Sequence, residues 1–393
     1  MIRTFSRPLV IIAMTCSWSA LYGQLPGKIE SALSCKECHE KAYDQWSGSQ
    51  HARSTPVNNI LFAKIYELSQ KDTGGETKLY CIRCHAPVTQ INGDVELREG
   101  LTNEGVTCDI CHSISQLSDH AGNWPNVYEP GEVKRSARRD VEPKGHEIAY
   151  SEIFENGKIC SGCHGDMLDI PGTRSCGNLT ICDTDFEWQG TTFAREGKSC
   201  VACHMTAVVE KSFFRAKKSV TQHDFPGAYS PAKLQAAATL SLDIKVFEGE
   251  VIARVEVLND GVAHLLPTGP PARLVFLKVR ALDQNGREIW SNFDSNQAVE
   301  DPFGIFHIVF ADQNGKVPSM PWLAARIVKD TRLRPGETRR LIYKFPGEDV
   351  VQVTAKLYYR LAPPPLLDKF EITDETLRTA YLMADATRSI GAE

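Results

Sequence analysis

One pentapeptide pattern governs what this chain can fold into: two cysteines three positions apart with a histidine directly after the second, occurring five times. The copies are Cys35-Lys-Glu-Cys38-His39, Cys81-Ile-Arg-Cys84-His85, Cys108-Asp-Ile-Cys111-His112, Cys160-Ser-Gly-Cys163-His164 and Cys200-Val-Ala-Cys203-His204. With 13 cysteines and 11 histidines in 393 residues, chance would supply about 0.01 such pentapeptides. The spacing is that of c-type haem attachment. Two thiols three positions apart reach the two vinyl groups of one porphyrin as thioethers, and the adjoining histidine is then held under the iron. Zinc ribbons need two Cys-x-x-Cys units per metal, which strands one of five, and they require no histidine after each second cysteine. A thioredoxin-like redox motif occurs once, beside a βαβ pattern. The reading is five covalently bound haem c groups.

The three remaining cysteines fall outside the pattern. Cys16 lies in an opening segment, residues 1–23, in which Arg3 and Arg7 precede the apolar run Leu9–Met14 and mostly small residues follow. This reads as a secretory signal, so Cys16 is expected to be removed and the chain exported to a periplasm or similar oxidising compartment. No later stretch approaches the roughly 18 consecutive apolar residues of a membrane span. Cys176 and Cys182 flank Gly177, and a local disulfide is expected there, with a sulfur ligand to iron as the alternative. A formal charge of −5 with 42 % hydrophobic residues excludes a disordered chain and argues against a nucleic-acid binder.

Each iron also has a second axial position, and a second histidine there closes the iron and favours electron transfer over chemistry. Six histidines are not in the motifs: His51, His120, His146, His223, His264 and His307. His51 follows His39 by twelve residues, about 18 Å of helical rise, too far to cap the same iron. His146 precedes the segment leading into the fourth motif, and His223 follows the fifth in His223-Asp-Phe-Pro-Gly227. His264 stands in the turn-rich loop Asp260-Gly-Val-Ala-His264-Leu-Leu-Pro-Thr-Gly269. These four and His120 are the candidate distal ligands. His307 alternates with Ile305, Phe306 and Ile308 in a strand-like run and reads as a sheet histidine.

Residues 30–230 resemble the cytochrome c-554 (cytochrome c-552/4) family of multihaem cytochromes. The resemblance rests on Cys35 to His39 followed by Trp46-x-x-Ser49-x-His51-Ala52, on the spaced motifs, and on Cys200-x-x-Cys203-His204-Met205 followed by His223-Asp-Phe-Pro-Gly. It implies that His51 caps the haem at His112 and that His120 or His146 caps the haem at His39. The family's smaller members carry four haems, and some relatives leave one iron open.

Beyond about Ala232 the cysteines stop. Thr239–Val246 and Glu250–Leu258 alternate in the strand manner, Val251, Ala253, Val255 and Val257 on one face and Glu250, Arg254 and Glu256 on the other. The turn signal Asn285-Gly286 separates Arg273–Leu282 from Arg287–Trp290, and Ile305–Ala311, Arg339–Phe345 and Val351–Leu361 are further strands. The expected fold is α+β and multidomain: a mostly helical, loop-rich pentahaem cytochrome domain over 24–232, an antiparallel β-sandwich over 233–365, and a C-terminal helix within 366–393. With about 42 residues per haem, the porphyrins must supply much of the buried surface of the first domain. The sandwich is either a packing and partner-docking module or, through His264, a supplier of a haem ligand that locks the two domains together.

Two functions compete. The first is a low-potential electron carrier whose partners are other cytochromes or a membrane quinol-linked oxidoreductase. The second is a reductase of nitrite or hydroxylamine at a five-coordinate haem. The pentahaem nitrite reductases place a lysine after one Cys-x-x-Cys pair, whereas all five pairs here precede histidine. Stacking of copies into a homo-oligomer or filament would need a distal histidine donated by a neighbouring subunit.

Overall fold

The computed structural model describes residues 28–118, 125–139, 141–142, 144–167, 180–211, 217–293 and 301–391. Its first half is a series of short helices linked by loops and two-stranded ribbons, and its second half is sheet. Helix α1, Ala32–Ser47, opens with the Ser31 hydroxyl accepting from the Leu33 N–H, and the Glu104 carboxylate accepts from the Ser31 hydroxyl at 2.5 Å and the Ala32 N–H at 2.9 Å. These contacts satisfy donors that a helix start leaves without an intrahelical acceptor. Helix α2, Ile60–Thr73, starts at the Asn59 cap and ends at Gly74, whose φ of 63° suits glycine. It packs beside α3, Thr77–His85.

Helices α4, Cys108–His112, α5, Ser161–His164, α6, Thr184–Gln189, and α7, Cys200–His204, are one or two turns each. The buried apolar cluster of this half is small: Ile29, Val88, Ile91, Ile110, Ile114 and Tyr128. Elements this short do not hold a fold by helix propensity alone.

The second half has a conventional core. Strands β1, Thr239–Phe247, and β2, Glu250–Leu258, form a sheet with β8, Thr338–Pro346, in the order β8-β2-β1. The opposing sheet runs β4, Glu288–Ser291, then β3, Leu274–Leu282, β9, Gln352–Arg360, and β10, Tyr381–Ser389, with β5, Ile305–Phe306, also paired to β3. Strands β6, Ile308–Asp312, and β7, Ala324–Asp330, make a separate ribbon. All these pairings are antiparallel. Val251, Ala253, Val255 and Val257 of β2 are fully buried, as are Val275 and Val279 of β3 and Val353, Ala355 and Leu357 of β9. The two sheets are bridged by Trp290 stacked on Phe345, ring centres 4.2 Å apart. The Asn285-Gly286 turn closes as the sequence implies, with the Asp283 carboxylate accepting from the N–H groups of Asn285 and Arg287.

The C-terminal segment departs from expectation. Where a helix was expected over Thr373–Ile390, only Glu375–Arg378 is helical, capped by the Asp374 carboxylate, and the chain then runs as β10. Its alanines favour helix intrinsically, but β9 would otherwise present an unpaired edge. Pairing along β9 sends Met383 into the core.

Among the described residues, two contacts between the halves stand out. The Trp322 indole donates to the Asp72 carboxylate of α2 at 2.9 Å and packs with Ile65, Leu68, Tyr80 and Met320. The second contact is Glu187 of α6, whose carboxylate accepts from the Leu265 N–H at 3.0 Å and the Thr268 hydroxyl at 2.6 Å, and pairs with the Arg332 guanidinium at 3.0 Å. No described helix is long and apolar enough to cross a membrane.

Candidate haem sites

Each of the five motifs lies on a helical turn that its histidine terminates. α3, α4, α5 and α7 end at His85, His112, His164 and His204, and α1 breaks at His39, which has φ −121° and ψ 41° before helix resumes. A helical turn puts residues i, i+3 and i+4 on one face, so both thiols and the imidazole of a motif address one object. Side-chain caps start the helices of the first and third motifs, at Ser31 and Thr107. The Thr107 hydroxyl accepts from the Ile110 N–H ahead of Cys108, and Ser199 is extended ahead of Cys200. In the fourth motif, Gly162 makes room for Asn126, because a Cβ there would fall 2.2 Å from Asn126 Oδ1.

Four histidines outside the motifs stand opposite a motif histidine. The ring-centre separations are 6.2 Å for His39 and His146, 6.3 Å for His51 and His164, 6.5 Å for His112 and His223, and 6.5 Å for His204 and His264. Metal–imidazole bonds of about 2.0 Å on each side, together with the half-width of each ring, put two axial imidazole centres roughly 6.3 Å apart. The spacing therefore fits one iron between each pair. Nδ1 of His112, His146, His204, His223 and His264 is hydrogen-bonded to the carbonyl of Arg135, Glu147, Pro226, Thr221 and Leu265 respectively, at 2.6–3.0 Å. Each such contact favours the tautomer with its proton on Nδ1 and leaves Nε2 free to take a metal. Burial, and then the neighbouring His164 and His85, pushes His51 down to about 3. Burial first, with other histidines adding to it, pushes His164 and His264 down to about 4. Neutral imidazoles are what a metal requires.

His85 differs. Its Nδ1 is bonded to the Ser54 carbonyl at 2.9 Å and its face is stacked on Phe62, ring centres 3.9 Å apart. Phe62 thus lies beside the ring and not across from Nε2. Among the described residues no histidine stands opposite His85. His120 lies outside the described residues, as does the expected partnership of Cys176 and Cys182. His307 sits between β5 and β6, its N–H donating to the Thr331 hydroxyl at 3.1 Å, in keeping with a sheet position.

The pairing departs from what the family resemblance implied for His51, which stands opposite His164 while His223 stands opposite His112; His146, one of the two residues implied for His39, does stand opposite it. The Trp46-x-x-Ser49-x-His51 pattern is explained locally. The Trp46 indole donates to the Val106 carbonyl at 2.8 Å, and the Val106 N–H returns a bond to the His51 carbonyl at 3.0 Å. Residues that sequence reasoning did not single out complete the supports. Gln45 accepts from the His223 N–H at 2.8 Å, Gly105 passes against the His51 carbonyl, and Glu187 holds the loop of His264.

The sites adjoin one another. The thiols of Cys35 and Cys108 lie close enough to influence one another, and so do those of Cys160 and Cys200. The buried Tyr128 hydroxyl feels Cys163, Cys84 and Cys111 together, so the second, third and fourth sites converge around it. Cys38 and Cys203, in the first and fifth motifs, are the solvent-exposed members of the ten motif cysteines.

Comparison with known proteins supports a multihaem c-type cytochrome. The family model described as cytochrome c554 and c-prime matches residues 34–113. The structure is similar to that of a penta-heme cytochrome c552 from Thermochromatium tepidum, at 26 % identity and a TM-score of 0.76 over 92 % of this chain and 99 % of that one. A β-glucosidase from Kluyveromyces marxianus aligns at 11 % identity over 39 % of this chain and 14 % of that one, with a TM-score of 0.16, and carries no argument. No curated protein matches.

Proposed function

We propose that this chain, a multihaem c-type cytochrome resembling the cytochrome c554 family, binds five haems and conducts electrons between redox partners outside the cytoplasm. Cys35 and Cys38, Cys81 and Cys84, Cys108 and Cys111, Cys160 and Cys163, and Cys200 and Cys203 would hold the porphyrins, with His39, His85, His112, His164 and His204 as proximal ligands. His146, His223, His51 and His264 would be the distal ligands of the first, third, fourth and fifth haems. When bound, each haem supplies a one-electron couple.

The observation that carries this reading is the set of four histidine pairs 6.2–6.5 Å apart. Two imidazoles per iron favour low potentials and exclude substrate from the metal, which suits a conductor. Adjacency of the first site to the third and of the fourth to the fifth, with the second, third and fourth gathered at Tyr128, supports a continuous route. Its ends would be the exposed edges at Cys38 and Cys203. Export follows from the opening segment, residues 1–23, read as a signal.

A second reading, reduction of a small nitrogen compound, is favoured by one observation: His85 has no opposing histidine among the described residues. The two readings separate in one anaerobic experiment on the fully reduced protein. A carrier is reoxidised through all five haems by an acceptor cytochrome and leaves added nitrite or hydroxylamine intact. Catalytic consumption of either compound would replace the first reading with the second.

A further inference from the structure

The loop that carries His264 is held by the sandwich through one buried side chain. Asn259 directly follows β2 and is fully buried. Its backbone is fixed by the turn ahead of β8: the Asn259 N–H donates to the Glu337 carbonyl at 3.0 Å, and the Asn259 carbonyl accepts from the Gly336 N–H at 2.7 Å. Its side-chain Nδ2 donates to the His264 carbonyl at 3.1 Å and to the Leu333 carbonyl at 3.0 Å. Leu333 in turn exchanges both backbone bonds with Leu266, at 2.9 and 3.0 Å. One amide group thus joins the residue that bears the imidazole to the bridge that anchors the far side of its loop.

The near side of the loop is pinned as well. A Cβ on Gly261 would fall 1.7 Å from the Ala236 carbonyl oxygen, so only glycine fits, and its N–H donates to the Ala237 carbonyl at 3.2 Å. His264 stands between these two anchors. Its Nδ1 meets the carbonyl of the next residue, Leu265, at 2.9 Å, so the direction of the ring follows the backbone that Asn259 holds. Asn259 Oδ1, by contrast, is buried with no partner among the described residues. An orphaned oxygen costs stability. What the side chain provides is two donors on one nitrogen, which neither an aspartate nor a leucine of similar size could offer the two carbonyls.

We propose that Asn259 is the positioning residue of His264, holding the loop so that the imidazole stands 6.5 Å, ring centre to ring centre, from that of His204. Asn259 acts through the His264 carbonyl and not on the haem itself. The sandwich then supplies a ligand together with the support that aims it. This inference rests on the reading of His264 as the distal ligand of the fifth haem.

The test uses the mature full-length chain with Asn259→Ala, His264→Ala and the double variant, each assayed for haem content and then for carbon monoxide uptake by the reduced protein. His264→Ala is expected to take up one equivalent more than the wild type. Asn259→Ala should also take up one further equivalent, and its oxidised form should gain a high-spin signal that added imidazole removes. The double variant should take up no more than His264→Ala alone, because both changes act at one iron. Lower thermal stability without extra gas uptake, in an Asn259→Ala protein of full haem content, would assign Asn259 to the sandwich alone and overturn the proposal. If that variant does not mature, Asn259→Ser, whose single hydroxyl donor cannot serve both carbonyls, decides by the same count, and wild-type uptake there overturns it equally. Uptake that rises in His264→Ala but not in the Asn259 variants leaves the ligand reading standing without the positioning role. Unchanged uptake in His264→Ala removes the ligand reading, and the positioning role falls with it.

Discussion

Gly105 shows how a residue distant in sequence from a ligand fixes where the ligand stands. It has a φ of 74°, and an added Cβ would lie 2.4 Å from the His51 carbonyl and 2.5 Å from the Ser54 hydroxyl. Gly105→Ala therefore strains its own backbone and pushes away the segment that presents His51, at a cost of about 1–3 kcal/mol. The expected outcome is a less stable protein in which the haem opposite His164 loses low-spin character. Electron paramagnetic resonance with a thermal melt checks this, and a wild-type spectrum would show that the His51 segment tolerates the displacement. The Trp46-x-x-Ser49-x-His51 pattern was legible because it is local. Gly105 was not, since nothing near it in sequence indicates that another loop passes over it. The same limit explains why the partner of His51 could be expected at His112 and is found at His164: ring pairing is decided by how distant segments cross.

At the scale of elements, the motif helices and the β-sandwich were legible for the same reason, that each rests on a short-range rule. Cysteines three apart with a following histidine need a helical turn, and alternation such as Val251, Ala253, Val255 and Val257 needs a strand with one buried face. β10 was not legible, because its alanines favour helix while only the edge of β9 makes it a strand. The junction between α6 and the His264 loop is likewise invisible in sequence. There the Glu187 and Arg332 side chains are 4 % and 10 % exposed and meet at 3.0 Å. Glu187→Ala leaves the guanidinium buried beside Asp330 alone and withdraws the acceptor of the Leu265 and Thr268 donors. Because Asp330 still pairs with the guanidinium, the cost is less than the ~3–5 kcal/mol of an unpaired buried charge, and each donor left without its acceptor costs about 1–3 kcal/mol. Denaturant unfolding followed at the haem absorbance should show the His264 ligation lost at lower denaturant than in the wild type. An unchanged midpoint would show that the loop is held by other contacts.

At the scale of the whole molecule, the two halves solve burial differently. The sandwich closes a continuous apolar core, whereas among the described residues the first half has a small cluster of its own, Ile29, Val88, Ile91, Ile110, Ile114 and Tyr128. If the proposed haems are bound, the motif half is organised by them and the facing histidines would tie it together: His51 stands opposite His164 of the fourth motif, His223 opposite His112 of the third, and His264 of the sandwich opposite His204 of the fifth. Four histidine pairs are the central claim, and counting closed irons tests it most directly. The measurement is the electron paramagnetic resonance spectrum of the oxidised protein together with carbon monoxide uptake by the reduced protein. Four low-spin haems that ignore the gas, and no more than one equivalent taken up per chain at the haem of Cys81 and Cys84, is the predicted result. Two or more equivalents of carbon monoxide, or fewer than four low-spin haems, would contradict it.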